Sequence, residues 1–331
     1  MSDKKAKILV LRFSSIGDIV LTTPVVRNLK NTVKGVEIHF LTKTSFQGLL
    51  KNNPYVDKVW HFNKDLNEVI PHLLKEKYDY VVDLHKNMRT LSLKKQLKAK
   101  ALSFDKLNVQ KFLLTTLKIN RLPEIHIVDR YLNSISSLGV SNDELGLDYF
   151  PDPGSQEKAQ ALFDKIPKNY VVVVVGAAHY TKVPTVEKYT ELLSSLDKTF
   201  VLIGGQNEVV AGESIQDKLG KELFNFCGKT TLDLSALLIS RAEFVITPDT
   251  GMMHIAAAYQ RPIISLWGNT VPEFGMTPYY RKQKPPSYIA EVKGLSCRPC
   301  SKIGYESCPK KHFNCIKQID VQKIKSWVES L

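Results

Sequence analysis

No stretch of this sequence approaches the roughly 18 consecutive apolar residues that a membrane-spanning helix requires, so a helical integral membrane protein is not expected. The start of the chain runs into only four apolar residues, Ile8-Leu9-Val10-Leu11, before Arg12. That is too short for a signal-peptide core, and no small-residue cleavage site follows, which predicts a cytoplasmic protein. Gly-x-Gly-x-x-Gly is missing after the first apolar run, where Gly17 stands alone. The full Walker pattern, Gly-x-x-x-x-Gly-Lys-Ser/Thr, is missing everywhere. The single dinucleotide domain of a dehydrogenase and the P-loop of an NTPase therefore both fit poorly. Low-complexity tracts are absent too, which argues against a disordered chain.

What is present is enough for two folded domains. The 331 residues are 43% hydrophobic and 24% charged, an ordinary balance for globular protein. Net charge is +13, from 46 basic and 33 acidic residues. Such an excess favours an acidic partner: nucleic acid, an anionic membrane surface or a phosphorylated substrate. It is concentrated between Lys86 and Arg121, where Asp105 is the only acid beside ten lysines and arginines. Only two aromatic residues, Phe104 and Phe112, interleave that run, too few for a base-stacking platform, and no recognition motif accompanies it, so nucleic acid is not an expected partner. Lys86 and Arg89, at its start, are candidates for an anionic acceptor. A merely solvated helix face is the alternative.

Residues 7–13 are apolar except for Lys7 and Arg12, as a central parallel strand is. Residues 19–30 have helical spacing, and Pro24 inside them predicts a kink or a delayed helix start. Strands are expected at 36–41, 56–62 and 78–84, with helices at 66–76, 107–117 and 127–138. The turn-rich stretch 146–154 leads to a linker. The alternation then restarts with the most apolar strand, 169–175, followed by strands at 199–203, 223–226, 244–247 and 262–266. A final helix at 320–331 carries one apolar face. This order predicts an α/β protein of two Rossmann-like, doubly wound domains, residues 1–154 and 155–316, facing each other across a cleft. The terminal helix, 317–331, could pack back on the first domain.

In such sheets ligands bind beyond the carboxyl ends of the strands, so the loops there carry the candidates. Asp18, after Ser14-Ser15-Ile16-Gly17, can act as general base on a hydroxyl, or else cap the helix that follows. Lys182, leaving the strongest strand through Gly176-Ala177-Ala178, offers a point charge for a diphosphate. Glu208, behind Gly204-Gly205, suits the hydroxyls of a ribose, or simply opens a helix. After Pro248, the corner Asp249-Thr250-Gly251 opens an Ala-rich helix whose free N–H groups and dipole make a seat for phosphate. Asp249 or Thr250 could instead cap that helix, Gly251 permits close approach, and His254 would point back from one turn in.

Together these residues resemble glycosyltransferase family nine, the ADP-heptose:lipopolysaccharide heptosyltransferases. The opening strand with its Ser-x-Gly-Asp turn and Pro24 is similar to the family's start. Asp249-Thr250-Gly251-Met252-Met253-His254-Ile255-Ala256 resembles its Asp-Ser/Thr-Gly-x-x-His-x-Ala signature, and Gly204-Gly205 to Glu208 and Leu266-Trp267-Gly268 also match. The resemblance spans essentially the whole chain. It implies the GT-B fold and inverting transfer with no metal or cofactor. Asp18 would be the base, and Gly17, Lys182, Glu208, Asp249, Thr250, Gly251 and His254 would hold the donor. The partners it implies are a nucleotide-sugar, ADP-heptose foremost, and an anionic lipid-linked saccharide at the cytoplasmic face of the inner membrane. In one place the pattern departs: Lys182-Val183-Pro184 puts proline one residue early, which makes Thr181 a competing match for the lysine. Another donor or acceptor, or nucleotide-sugar epimerisation, would suit the same architecture.

Five cysteines remain. Cys227 stands alone and is expected in the core. Cys297, Cys300, Cys308 and Cys315 could hold structural zinc, but the second pair is wider than usual, and reduced packing cysteines are the preferred expectation.

Overall fold

The computed structural model describes residues 6–220 and 222–331. Contacts divide the chain into two units, Met1–Lys106 with Ile125–Phe150, and Leu107–Glu124 with Pro151–Leu331.

In the first unit five parallel strands form one sheet: β1 (Lys7–Leu11), β2 (Glu37–Lys43), β3 (Lys58–Phe62), β4 (Tyr80–Asp83) and β5 (Lys100–Ser103), in the order β3-β2-β1-β4-β5. Ile8 to Leu11 are fully buried, because helices cover both faces of a central parallel strand. Proline at 24 falls in the first turn of the helix Thr23–Thr32, where a missing N–H has no consequence. A separate short helix, Ile16–Val20, precedes it, so the delayed start is what the chain adopts. Buried Arg27 on that helix binds Asp143, Asp148 and the carbonyl of Gly146, and these bonds hold the otherwise irregular approach to the second unit.

The second unit has six parallel strands: β6 (Val171–Val174), β7 (Phe200–Ile203), β8 (Leu223–Asn225), β9 (Val245–Pro248), β10 (Ile263–Trp267) and β11 (Ser287–Glu291), ordered β11-β10-β9-β6-β7-β8. Four valines in β6 are buried, and Val172 and Val173 pair with Val245 and Ile246 of β9. In both sheets the chain first winds outward to one side, then returns to the middle and winds to the other. Strand order thus reverses between β1 and β4 in one sheet and between β6 and β9 in the other. Such reversals leave a crevice at the carboxyl ends.

Two boundaries differ from the sequence expectation. Leu107–Glu124 contacts the second unit, anchored by Leu114 and Leu122 against Val271 and Phe274. The last helix, Val321–Glu329, joins the second unit's core through Val321 and Ile324 and sets Trp327 against Tyr288 of β11. An apolar stripe tells that a helix docks, and nothing about the partner. Strands β5 and β11, and the helix Met88–Leu97, were also not anticipated.

Candidate active site

In the first unit the candidate residues lie in the loops after β1 and β4. Asp18 sits in the helix Ile16–Val20, and its Oδ1 lies 2.6 Å from a terminal nitrogen of Arg12. Ser15 donates to Oδ2 from its hydroxyl at 3.0 Å and its N–H at 3.3 Å. The N-cap of this helix is Ser15, and Asp18 at the third helical position closes a capping box with it, with 21% of the Asp18 side chain still open to solvent. Burial alone would raise its pKa, but the guanidinium of Arg12 and the Ser15 bonds outweigh that and hold it below the usual aspartate value. Asp18 is accordingly an ionised acceptor at neutral pH.

Arg12 was overlooked by sequence reasoning. The signal was a lone cation at the end of a buried strand, which must find partners. Its guanidinium donates to the carbonyls of Ser14 (2.9 Å) and Leu84 (2.6 Å) and to the Tyr131 hydroxyl (3.1 Å). Those bonds fix the fork that grips Asp18. Nearby His85 packs on Phe13 with ring centroids 4.7 Å apart. Burial and the adjacent Arg12 and Lys106 push its pKa down to about 4, so it is neutral.

The acceptor candidates are placed differently. The ammonium of Lys86 donates to the carbonyl of Phe104 at 2.8 Å, and Arg89 stacks on Phe13 at 5.3 Å. Lys94 pairs with buried Asp83 at 2.8 Å, and Lys106 donates to the carbonyl of His85. Part of the basic run thus satisfies the protein's own acceptors.

In the second unit the reversal point between β6 and β9 assembles most of the donor candidates. Lys182 Nζ lies 2.7 Å from Asp249 Oδ2. Thr181, the competing match, is buried and bonded instead to Asn269 and Tyr305, so Lys182 is the residue that faces the corner. Thr250 is the N-cap of the helix Gly251–Ala258, yet no side chain caps that helix. Its leading N–H groups stay available to an anion. His254 is buried within the same helix. Glu208 accepts from the Gly205 N–H at 2.8 Å and folds back over two glycines. A Cβ on Gly176 would come within 2.4 Å of its carboxyl carbon, and one on Gly204 within 2.7 Å of its Cβ. Glycine at 176 thus makes room for Glu208 itself.

A second unforeseen contributor is Thr270, just beyond β10. Its hydroxyl donates to Asp249 Oδ2 at 2.8 Å, sharing the oxygen that Lys182 holds. The Thr270 carbonyl is in turn gripped by Arg298 at 2.9 Å, and Arg298 is paired with Glu291 at 2.7 Å.

All five thiols are free. Cys227 is in the core, and burial raises its thiol to about 12. Cys297 Sγ lies 3.8 Å from His312 Nε2. Among the described residues the one tight group of three potential metal donors is elsewhere, Glu37, His39 and Glu76, where Lys7 already pairs with Glu76 at 2.7 Å.

Two doubly wound parallel units, each with polar loops at its reversal point, define the GT-B class of glycosyltransferases. Two solved structures share the fold along nearly their full length. A glycosyltransferase family 9 crystal structure from Veillonella parvula superposes with TM-score 0.76 at 21% identity, covering 100% of this chain and 98% of that one. The E. coli ADP-heptose lps heptosyltransferase II gives 0.71 at 19%, covering 98% of each. In sequence, lipopolysaccharide heptosyltransferase 1 of Campylobacter coli is 25% identical over 299 residues, 83% of this chain and 85% of that protein. The profile described as Glycosyltransferase family 9 (heptosyltransferase) matches residues 68–303. The chain belongs to glycosyltransferase family 9.

Proposed function

We propose that this protein transfers a heptose from ADP-heptose, with inversion and without a metal, to an inner-core sugar of a lipopolysaccharide precursor. The observation that carries this reading is the Lys182–Asp249 contact at 2.7 Å beside an uncapped helix start, a corner that offers an ammonium group and free N–H groups to a sugar diphosphate. Glu208 serves the ribose hydroxyls. Asp18 accepts the proton of the acceptor hydroxyl as that oxygen attacks the anomeric carbon. The bond from that carbon to the diphosphate breaks, and its electron pair leaves on the phosphate oxygen. Lys182 and the start of the helix Gly251–Ala258 stabilise that developing charge, the kind of electrostatic work that dominates many enzymes.

The test is release of ADP from ADP-heptose with and without a lipid-linked or truncated core acceptor. Acceptor-dependent release supports transfer; equal release without acceptor, with free sugar formed, would assign epimerase or hydrolase chemistry instead. Replacing Asp18 by Ala should lower turnover about 10²- to 10⁴-fold, the usual range for a positioned base, while ADP affinity is kept. Full activity in that variant ends Asp18's role as base.

A further inference from the structure

The second unit exposes an apolar face that its own core does not use. Leu114 and Leu122 anchor the segment 107–124 on Val271 and Phe274. This leaves Val109 69% and Phe112 53% exposed, three residues apart on one helical face, with Leu117 56% exposed just beyond. A second segment, remote in sequence, runs alongside. Lys302 Nζ reaches the carbonyl of Asn108 at 3.5 Å, and Lys118 Nζ reaches that of Pro299 at 2.6 Å. Beside Lys302, Ile303 is 63% exposed.

The charge along these two segments is mostly positive, though Glu124 and Glu306 belong to them too. Residues 107–121 contain Lys111, Lys118 and Arg121 and no acid, and residues 299–317 contain four lysines against Glu306 alone. Lys310 and Lys311, both exposed, lie in the same chain segment next to His312, whose Nε2 is 3.8 Å from Cys297 Sγ. Exposed aliphatic and phenyl groups on segments rich in lysine are the chemistry of a surface that inserts shallowly between lipids while its cations meet anionic headgroups.

We propose that this face, with Val109, Phe112 and Ile303 at its centre, docks the second unit on an anionic lipid bilayer. The inference rests on the proposed function only in that a lipid-linked acceptor is presented by such a surface. The docking requires lipid charge and apolar depth, and no glycolipid.

The test is flotation of the full chain with vesicles of phosphatidylglycerol and phosphatidylcholine, against pure phosphatidylcholine, at low and high salt. Binding is expected to the anionic vesicles alone and to weaken as salt rises. Replacing Val109, Phe112 and Ile303 together by Ser should weaken vesicle binding at least tenfold. Replacing Lys310 and Lys311 by Gln should cost about fivefold for each charge that reaches the lipid surface. The Ser variant should keep ADP affinity and activity on a soluble acceptor fragment, which establishes that it is folded. A wild-type chain that ignores anionic vesicles, or a Ser variant that binds them equally, overturns the proposal and leaves the transfer reading standing. A wild-type dimer dissolved by the same substitutions would assign the face to a second copy, and also overturns it. Loss of transfer chemistry with docking intact would fault the functional reading alone.

Discussion

Arg12 and Thr270 each act on a carboxylate they hold, and each makes a separable prediction. Asp18 is kept below the usual aspartate pKa by Arg12, so it favours the folded state above its unfolded value, and that contribution is lost as pH falls through the folded one. In the proposed role of base it would be ionised at neutral pH, which places the acid limb of the rate profile below the ordinary carboxylate range. In Arg12→Gln the burial that opposes ionisation is offset only by the Ser15 bonds. The acid limb of kcat/KM should therefore move upward, and Arg12→Lys should return it part of the way. An unmoved limb in a folded Arg12→Gln protein would detach Asp18 from that limb. Thr270 shares Asp249 Oδ2 with Lys182, and a hydrogen bond to a charged group contributes about 1.5–3 kcal/mol. Thr270→Val should thus lower donor kcat/KM about tenfold or more, with Thr270→Ser near normal. If Thr270 acts through Asp249, the same substitution made on top of Asp249→Asn should have little further effect. Additive losses would show that Thr270 merely packs.

At the scale of elements, the glycine-rich exits from β6 and β7 serve a neighbouring side chain. Gly176→Ala should displace Glu208, whose carboxyl carbon lies where the methyl would go. KM for ADP-heptose should rise about tenfold, in line with loss of one charged hydrogen-bond partner, while kcat and melting temperature change little. Equal loss in kcat would point to a wider distortion of the loop. Such loops were readable from sequence because strand ends are punctuated there by Gly, Pro and Asp. The buried strands were readable for a similar reason: β1, β6, β9 and β10 are apolar on both faces and leave a continuous run. Edge strands leave no such run. Lys100–Ser103 is mostly exposed and Ser287–Glu291 alternates weakly, so neither rose above its surroundings. The partners of Asp18 and Asp249 were hidden for another reason. Arg12 meets Asp18 across a turn, and Thr270 meets Asp249 across two adjacent strand ends 21 residues apart. Neither meeting follows from local pattern.

For the molecule as a whole, each unit has its own buried sheet and its own polar loops at the reversal point, and the donor candidates cluster in the second. Nucleotide binding should therefore stabilise the fold through that unit even when no sugar and no acceptor are present. A ligand that binds only the native state, at a hundred times its dissociation constant, adds about 2.7 kcal/mol. For a unit of this size, 1 kcal/mol corresponds to about 2–4 °C in melting temperature, so saturating ADP should raise Tm by about 5–10 °C. The rise should follow the logarithm of ADP concentration, and UDP, GDP and CMP at equal concentration should give much less. Lys182→Ala and Glu208→Ala should each shrink the ADP shift without lowering the unliganded Tm greatly, because Lys182 keeps 17% of its side chain open to solvent and Glu208 is only partly buried. Asp18→Ala should leave the shift whole, since that residue belongs to the other unit and is assigned to the acceptor. An equal response to all four nucleotides would reduce the corner at Asp249 to a general phosphate site. A shift abolished by Asp18→Ala would move the donor itself to the first unit.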